Sequence, residues 1–365
     1  MVMKKQYVVL FAGVLLLFVI FSMSGVHDRM PTTTLQPSDI SSGIMNIARY
    51  LKPDFVFRGT GNEVQVLLLT YMRSGSSLTG DILQHSPGAF YIYEPFRSLG
   101  HKNSSTFTIE FANGTSRAPP YNFAEVAYDN LYNWFTCNMT NIPNIGLNDG
   151  FLKKGLKSRL YPICMNDIKG DMDPKNGINI CARQLQAVCK NSPFRIIKTI
   201  RLLMRDIKNL LEDLPNLKII HLVRDPRATL FSQSKLGKCG EKKGGRPGCT
   251  NRFCTRVELD VLEEEKLSKK YPGRIMPVFY QDIAKEPLKT SQKLYDFIGA
   301  EFTQAAQEYV YNITMAGNPN NCAICTTRSN SSEHIDTWKE RMDPLFREIV
   351  NERCNYIIQR YNFDK

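Results

Sequence analysis

Short apolar segments recur along the chain from residue 64 onward, and each is followed by polar or turn-forming residues. Five of them are rich in Ile, Leu, Val, Phe and Tyr: 64–70, 90–93, 194–201, 218–224 and 274–280. A continuous apolar run with β-branched residues, as in 64–70, is typical of a strand buried on both faces of a sheet. The pattern therefore predicts five strands.

Helical patterns lie between the predicted strands. Residues 76–84 carry Leu78 and Ile82 on one face, and residues 206–213 and 287–298 are also predicted to be helical. Strands that alternate with helices indicate an α/β fold with a mostly parallel central sheet.

Two other segments are less regular. The irregular pattern of residues 101–190 predicts loops and helices that are inserted near the ligand-binding edge of such a sheet. Residues 236–254 contain three cysteines and many Gly and Lys residues, so we expect them to form a loop stapled by a disulfide.

The N-terminus carries a membrane signal. Residues 7–23 form a run of 17 residues without a charged side chain, and a helix of that length rises about 25 Å, close to a thin hydrocarbon core of roughly 27 Å. Lys4 and Lys5 precede the run and no basic residue follows until Arg29, which places the first residues in the cytosol. We predict a retained signal-anchor helix. The alternative is a cleaved signal peptide, whose apolar region usually spans about 7–15 residues.

The segment after this helix is rich in Ser, Thr, Pro and Gly, as expected of a stem that holds a domain away from the membrane. The predicted organisation is a cytosolic tail (1–6), a transmembrane signal-anchor (7–23), a stem (24–60) and a lumenal domain (61–365).

Charge, cysteines and sequons narrow the class of protein. The net charge of +12 indicates an anionic partner, which could be nucleic acid, a membrane surface or an acidic ligand. Ten cysteines suit disulfide formation in an oxidising lumen, and glycosylation at an Asn-x-Ser/Thr sequon also requires a lumenal chain. These features argue against nucleic-acid binding.

Cys322 and Cys325 lack a second ligand pair, so a disulfide role is favoured over zinc. The sequons are at Asn103, Asn113, Asn138, Asn312 and Asn330.

The first candidate for site chemistry is the segment 70–77, between the first predicted strand and the first predicted helix. Backbone N–H groups and the helix dipole converge at such a turn and favour a bound phosphate. Gly75 allows close backbone approach, Arg73 adds a fixed charge, and Ser76 and Ser77 add hydroxyl donors. The segment lacks the spacing of a Walker A loop. The alternative is an ordinary turn in which a serine caps the helix.

The second candidate is the segment 221–232. Arg224 ends a predicted strand, Asp225 is a natural N-cap, and Pro226 suits the first helical position. Arg224 would then lie at the carboxyl edge of the sheet, where ligands bind in open α/β folds. Ser232 follows about two helical turns later, so the two side chains could hold a second phosphate. The alternative is a solvated turn.

Together these motifs resemble the sulfotransferase superfamily, and most closely the carbohydrate 6-O-sulfotransferases that act on galactose, N-acetylgalactosamine or N-acetylglucosamine. The resemblance covers roughly residues 64–345. Gln281 departs from it, since an acidic residue is expected there, and 101–190 carries no recognisable family pattern. The matching segments are Arg-Ser-Gly-Ser-Ser-Leu (73–78), His-Ser-Pro-Gly (85–88), Tyr-Glu-Pro (93–95), His-Leu-Val-Arg-Asp-Pro-Arg-Ala (221–228), Tyr-Gln-Asp (280–282), Leu-Tyr-Asp-Phe-Ile-Gly (294–299), Thr-Arg-Ser-Asn-Ser-Ser (327–332) and Trp338.

The resemblance implies a nucleotide-kinase-like, P-loop-type domain and a type II Golgi membrane protein with a lumenal catalytic domain. It implies the donor PAPS (3′-phosphoadenosine 5′-phosphosulfate), no metal, and a glycan or glycosaminoglycan acceptor. The site residues that it implies are Arg73, Ser74, Gly75, Ser76 and Ser77 for the 5′-phosphosulfate, and Arg224, Ser232 and Arg328 for the 3′-phosphate.

Two residues are expected to act in the transfer itself. Arg73 would stabilise the charge that grows on the bridging oxygen as the bond to sulfur breaks. The acceptor hydroxyl must lose a proton, and Glu94 of the Tyr-Glu-Pro segment is the candidate base. The alternative is that Glu94 pairs with an arginine such as Arg97 and holds its loop. Weaker candidates for roles at the site are His85, His101, Lys198 and Arg201.

Two other functions stay open at this stage. A protein-tyrosine sulfotransferase would have a similar loop and a downstream Glu, although the Arg-Asp-Pro-Arg-Ala segment favours the carbohydrate branch. A non-catalytic lumenal binder of acidic glycans would explain the basic charge but not the two phosphate-binding motifs. The sequence does not fix the oligomeric state, and a homodimer stays open.

Overall fold

A computed structural model describes residues 63–99, 108–118, 123–168, 173–318 and 326–364. The predicted anchor and stem lie outside these residues, as do His101, Asn103, Cys322 and Cys325. Within the described ranges, no helix is both long and apolar enough to cross a membrane.

A parallel sheet forms the centre of the domain. Its five strands are hydrogen-bonded in the order β2-β5-β1-β6-β7, and every neighbouring pair is parallel. This confirms the predicted α/β fold with a central parallel sheet. The short strands β3 and β4 pair antiparallel outside it. The strands are β1 (Val64–Thr70), β2 (Phe90–Tyr93), β3 (Ile109–Glu110), β4 (Ser116–Arg117), β5 (Phe194–Thr199), β6 (Leu217–Val223) and β7 (Ile275–Phe279).

Helices cover both faces of the sheet because alternate side chains of each strand point to opposite faces. Val66 and Leu68 pack in one core, while Leu67 and Leu69 pack in another. The helices in the described ranges are α1 (Ser76–Gln84), α2 (Phe123–Phe135), α3 (Asn144–Leu147), α4 (Leu160–Asp167), α5 (Pro174–Lys190), α6 (Lys208–Asp213), α7 (Pro226–Ser234), α8 (Gly245–Lys270), α9 (Tyr280–Lys285), α10 (Pro287–Ile298), α11 (Gln304–Thr314), α12 (Thr337–Arg341), α13 (Pro344–Arg353) and α14 (Asn355–Arg360).

The predicted and observed elements agree best where the apolar pattern is strongest. β1, β2, α1 and α10 have the predicted bounds. β5 ends at Thr199 rather than at residue 201, and β6 lies one residue earlier than predicted. The predicted helix 206–213 is a 3₁₀ turn, Met204–Ile207, followed by α6.

The predicted loop 236–254 is only partly correct. Cys239 and Cys249 do form a disulfide, but the chain from Gly245 onward belongs to the 26-residue helix α8. Its glycines fall in the first turn, and Phe253, Val257 and Val261 bury the following turns in a core. Tertiary packing therefore overrides the weak helix propensity of the Gly-rich segment.

Disulfides hold the elements outside the sheet together, as predicted from the cysteine count. Eight of the ten cysteines pair in the described ranges, and the other two are Cys322 and Cys325. One bridge joins α8 to the C-terminal helices across 100 residues. The pairs are Cys137–Cys189, Cys164–Cys181, Cys239–Cys249 and Cys254–Cys354.

Candidate active site

The two predicted anion-binding motifs lie at the carboxyl ends of neighbouring strands. β1 leads through a short loop, residues 71–75, into α1, and β6 leads through Arg224 and Asp225 into α7. Because β1 and β6 are adjacent and parallel, both connections open toward the same edge of the sheet. Ligands of open α/β sheets bind at this edge.

The β1–α1 loop turns sharply at two residues. Arg73 and Gly75 have φ angles of 68° and 88°, in the left-handed region that glycine adopts freely and arginine rarely. Gly75 is the N-cap of α1, and no side chain caps this helix end. The first N–H groups of α1 are therefore left for a ligand, and the helix dipole favours an anion there.

Tyr280 at the start of α9 closes one side of the loop. A Cβ atom on Gly75 would lie 2.1 Å from Cδ2 of Tyr280, so the close approach requires glycine. The guanidinium of Arg224 lies 4.2 Å from the centroid of the same ring. Tyr280 thus positions both motifs, a role that is not predictable from either motif alone.

The two motifs contact each other directly. Arg73 Nε donates a hydrogen bond to Ser232 Oγ at 2.9 Å, and Arg224 Nη1 donates to the Arg73 carbonyl at 3.1 Å. Gln233 Nε2 donates to the Met72 carbonyl at 2.8 Å. The structure therefore brings together Arg73, Arg224 and Ser232, as expected if they form one site.

The three serines of the loop differ in their surroundings. The hydroxyl of Ser74 is fully buried and has no hydrogen-bond partner within the described ranges, and Ser76 is also buried. The hydroxyls of Ser77 and Tyr93 are hydrogen-bonded at 2.9 Å. That contact links the N-terminus of α1 to the end of β2.

A cationic cluster faces this loop. Burial, and then the nearby Arg328, lower the pKa of Arg73. Burial also lowers the pKa of Arg224, and Arg73 and Arg328 lower it further. In the part of the chain that the structure describes, neither Arg224 nor Arg328 forms an ion pair with a carboxylate. Three guanidinium groups that repel one another would be stabilised by a multiply charged anion.

A buried network anchors the loop to α8. The Tyr71 hydroxyl donates to Asp260 at 2.9 Å and lies 2.8 Å from His221 Nε2, while His221 Nδ1 contacts Glu264. Burial, and then Asp260, raise the pKa of Tyr71. Because Asp260 also accepts from the Met204 backbone N–H, the network connects the segments that follow β1 and β5.

Glu94 lies at the end of β2 in an unusual environment. Its φ angle is 56°, and strained backbone of this kind clusters at functional sites. The side chain is buried and forms an ion pair with Lys198 Nζ at 2.5 Å and a longer one with Arg201 Nε at 3.5 Å. Arg97 pairs instead with Asp149, so the arginine that contacts Glu94 is Arg201 and not Arg97. The carboxylate is thus held by Lys198 of β5 and by Arg201, two residues beyond that strand.

Tyr93 connects this carboxylate to an exposed basic surface. Lys198 Nζ lies 4.2 Å from the centroid of the Tyr93 ring, and the exposed Lys154 lies 4.7 Å from it. Phe151 packs edge-on against the same ring, with Arg97 4.2 Å from the Phe151 centroid. Lys154 has no carboxylate partner in the described ranges and lies beside the residue that binds Ser77.

His85 is placed away from the loop. It follows the last residue of α1, a nine-residue helix that is about 13 Å long, whereas the loop precedes its first. The imidazole stacks on Tyr309, with 3.5 Å between the ring centroids, and Nδ1 lies 2.8 Å from the Asp81 carbonyl. This placement indicates a structural role rather than a base at the loop.

Comparison with known proteins gives the class of the protein. The "Sulfotransferase domain" family profile matches residues 63–362. Human carbohydrate sulfotransferase 3 is 24% identical over 83% of this chain and 68% of its own length. Carbohydrate sulfotransferase 5 of Mus musculus is 28% identical over 82% of this chain and 81% of its own length. A sulfotransferase domain from the curacin biosynthetic pathway covers 80% of this chain and 97% of its own, with 17% identity and a TM-score of 0.45.

The site therefore lies in a sulfotransferase. The chain belongs to the sulfotransferase-domain family, which its profile match shows over most of its length. The predicted enzyme class and the resemblance to carbohydrate sulfotransferases are confirmed.

Proposed function

We propose that this protein is a Golgi membrane enzyme that transfers a sulfuryl group from PAPS to a sugar hydroxyl, the 6-hydroxyl of GlcNAc, Gal or GalNAc. The observation that carries the donor assignment is the contact of Arg224 and Ser232 with Arg73 beside the uncapped N-terminus of α1. Arg328 lies close enough to lower the pKa of both arginines. PAPS offers a 5′-phosphosulfate and a 3′-phosphate, and this cluster supplies charge for both.

The residues fit the donor in two groups. Arg73, Ser74, Gly75, Ser76 and Ser77 would hold the 5′-phosphosulfate. Arg224, Ser232 and Arg328 would hold the 3′-phosphate. The hydrogen bond from Arg73 to Ser232 supports a shared donor site. A guanidinium donates a planar pair of hydrogen bonds that matches a phosphate better than a lysine does.

The transfer follows from this arrangement. The acceptor oxygen forms a bond to sulfur while the bond from sulfur to the bridging oxygen breaks, and adenosine 3′,5′-bisphosphate (PAP) leaves with the electron pair. Arg73 and the N–H groups of α1 stabilise the charge that develops on the bridging oxygen. The proton of the acceptor hydroxyl passes to Glu94. Lys198 and Arg201 hold and orient this carboxylate.

The acceptor side of the site is basic. Tyr93 links Ser77 to the exposed Lys154, so a sugar chain that reaches the sulfate would pass this surface. The relatives named carbohydrate sulfotransferases support a glycan acceptor over a tyrosine peptide.

The assignment is tested with the full-length chain in detergent, radiolabelled PAPS, and a panel of glycans that ends in GlcNAc, Gal or GalNAc, together with a tyrosine peptide. We expect label on the 6-carbon of one glycan class. Label on the peptide alone, or no PAPS binding, would contradict the proposal.

Replacing Gly75 by Ala should lower the rate of sulfate transfer about tenfold or more. A residue with a Cβ atom at positive φ costs roughly 1–2 kcal/mol, and this Cβ would also displace Tyr280 and with it Arg224. The matched control is Gly273→Ala. Gly273 also has a positive φ angle, +73°, but no atom lies within 4 Å of a Cβ added there. The control should lose similar thermal stability and keep full transfer, and equal transfer rates in the two variants would remove Tyr280 from this role.

The proposed topology is a type II membrane protein with a lumenal domain. In sealed vesicles, we expect the domain from residue 61 onward to resist protease added outside and to become sensitive after detergent. Asn113, Asn312 and Asn330 are exposed, so glycosidase treatment should shift the apparent mass. Digestion in intact vesicles would overturn both the Golgi assignment and the anchor.

A further inference from the structure

His334 lies at the candidate donor site, although no motif pointed to it. It is the last residue of the 3₁₀ turn Ser331–His334, six residues after Arg328. Its backbone carbonyl accepts a hydrogen bond from Arg224 Nη2 at 3.2 Å. The Ser331 hydroxyl donates to the Ala284 carbonyl and holds this turn against α9. The backbone therefore fixes the position of His334 relative to Arg224.

The imidazole of His334 has an unsatisfied polar atom. Nε2 is buried and has no hydrogen-bond partner within the described ranges. Leaving such a group unpaired is costly, so each case calls for an explanation such as a ligand. Burial and then Arg328 lower the pKa of His334; Glu333 opposes them, and Arg224 adds a smaller lowering effect. The imidazole is thus held in its neutral form beside two cations.

The charges around His334 are predominantly positive. Arg224 reaches it from the end of β6, and Arg328 from the preceding segment. Glu333 is exposed on the same turn, and the ionisable residues of the underlying helix α9, Asp282 and Lys285, are also exposed. The buried carboxylate next to Arg224, Asp225, is already paired with Arg227, and a phosphate would supply a further anion.

We propose that His334 is a further donor-binding residue, whose Nε2–H donates to the phosphate held by Arg224 and Arg328 and whose imidazole takes up a proton when that phosphate binds. The inference rests on the proposed function, because it identifies the phosphate as the 3′-phosphate of PAPS. Donor affinity is then linked to pH through this residue.

The direction of the linkage follows from the two states. In the free protein, burial and the neighbouring cations keep the pKa of His334 below its ordinary value near 6.5. A bound dianion raises that pKa, so a proton is taken up between the two values. Affinity is greatest below the lower pKa and decreases as pH rises through the higher one.

The test is isothermal titration calorimetry of the full-length protein with PAP, in two buffers of different ionisation enthalpy. At pH 7 we expect net proton uptake with wild-type protein. Binding to cations lowers the pKa of the phosphate and would by itself release protons, so uptake has the opposite sign. The comparison ligand is AMP, which lacks the 3′-phosphate and should show no uptake.

Replacing His334 by Gln should abolish the uptake and weaken PAP binding about tenfold at pH 6 and about twofold at pH 8, as expected for a charged and a neutral hydrogen bond. His334→Asn repeats the test if the Gln variant melts early. The matched control is His85→Gln, which removes a histidine stacked on Tyr309 and should bind PAP like wild type.

Two failures are distinguishable. If wild-type protein does not bind PAP, the proposed function falls. If it binds PAP with no more proton uptake than AMP, or if a folded His334 variant binds PAP like wild type at pH 6, then the role of His334 is wrong and the donor assignment stands.

Discussion

Replacing Glu94 by Gln should lower kcat about 10²–10⁴-fold, the usual range for loss of a general base, and leave PAP affinity nearly intact. The side chain keeps its shape but can no longer accept the proton of the acceptor hydroxyl. The measurement is sulfate transfer from labelled PAPS at saturating acceptor, with PAP affinity determined by calorimetry.

The Glu94→Gln variant needs a control because Glu94 forms a buried ion pair with Lys198. Removing one partner of a buried pair costs about 3–5 kcal/mol because the other charge is left uncompensated. Lys198→Gln breaks the same 2.5 Å contact and keeps the carboxylate, so it reports the anchoring role alone. We expect both variants to lose thermal stability and only Glu94→Gln to lose about 10²-fold or more in kcat.

Retention of more than about a tenth of wild-type kcat in Glu94→Gln would rule out Glu94 as the base. Parallel losses of kcat in Glu94→Gln and Lys198→Gln would show that the pair only holds its loop.

Replacing Arg224 by Ala should weaken PAP binding about 10- to 150-fold, which corresponds to about 1.5–3 kcal/mol for a charge-assisted hydrogen bond. The residue also donates to the carbonyls of Arg73 and His334, so the loop and the following turn lose a common tether. Calorimetry measures the affinity, and circular dichroism confirms the fold.

Two variants separate charge from geometry at Arg224. Arg205→Ala removes a charge from an exposed residue paired with Asp206 and should leave PAP affinity unchanged. Arg224→Lys keeps the charge without the planar pair of donors and should recover only part of the affinity. Wild-type affinity in a folded Arg224→Ala protein would show that this arginine does not bind the donor.

The sequence predicted those parts of the site that local pattern determines. The apolar run of β1 and the glycine after it locate the loop, and Asp225 caps α7 by accepting from the Arg227 N–H, as its position before Pro226 indicates. The eight-residue spacing places Arg224 just before α7 and Ser232 about two turns along that helix.

The other contacts of the site depend on packing between segments that are far apart in the chain, and the local sequence pattern does not predict them. The partners of Glu94 come from β5 and the two residues that follow it, more than 100 positions away. Tyr280 contacts Gly75 only because β7 and β1 end at the same edge. His334 approaches Arg224 through a turn held against α9. None of these contacts can be inferred from a short stretch of the sequence.

The order in which the site is completed along the chain has a consequence for synthesis. The last strand of the sheet ends at Phe279, whereas Arg328 and His334 lie about 50 residues further on. A nascent chain that extends as far as residue 300 would already contain all five strands of the central sheet and the β1–α1 loop, yet lack the two side chains proposed to complete the donor site. On the proposed assignment, donor binding is therefore completed only after the sheet, and a chain terminated between residues 300 and 328 would contain the whole sheet but lack these two side chains.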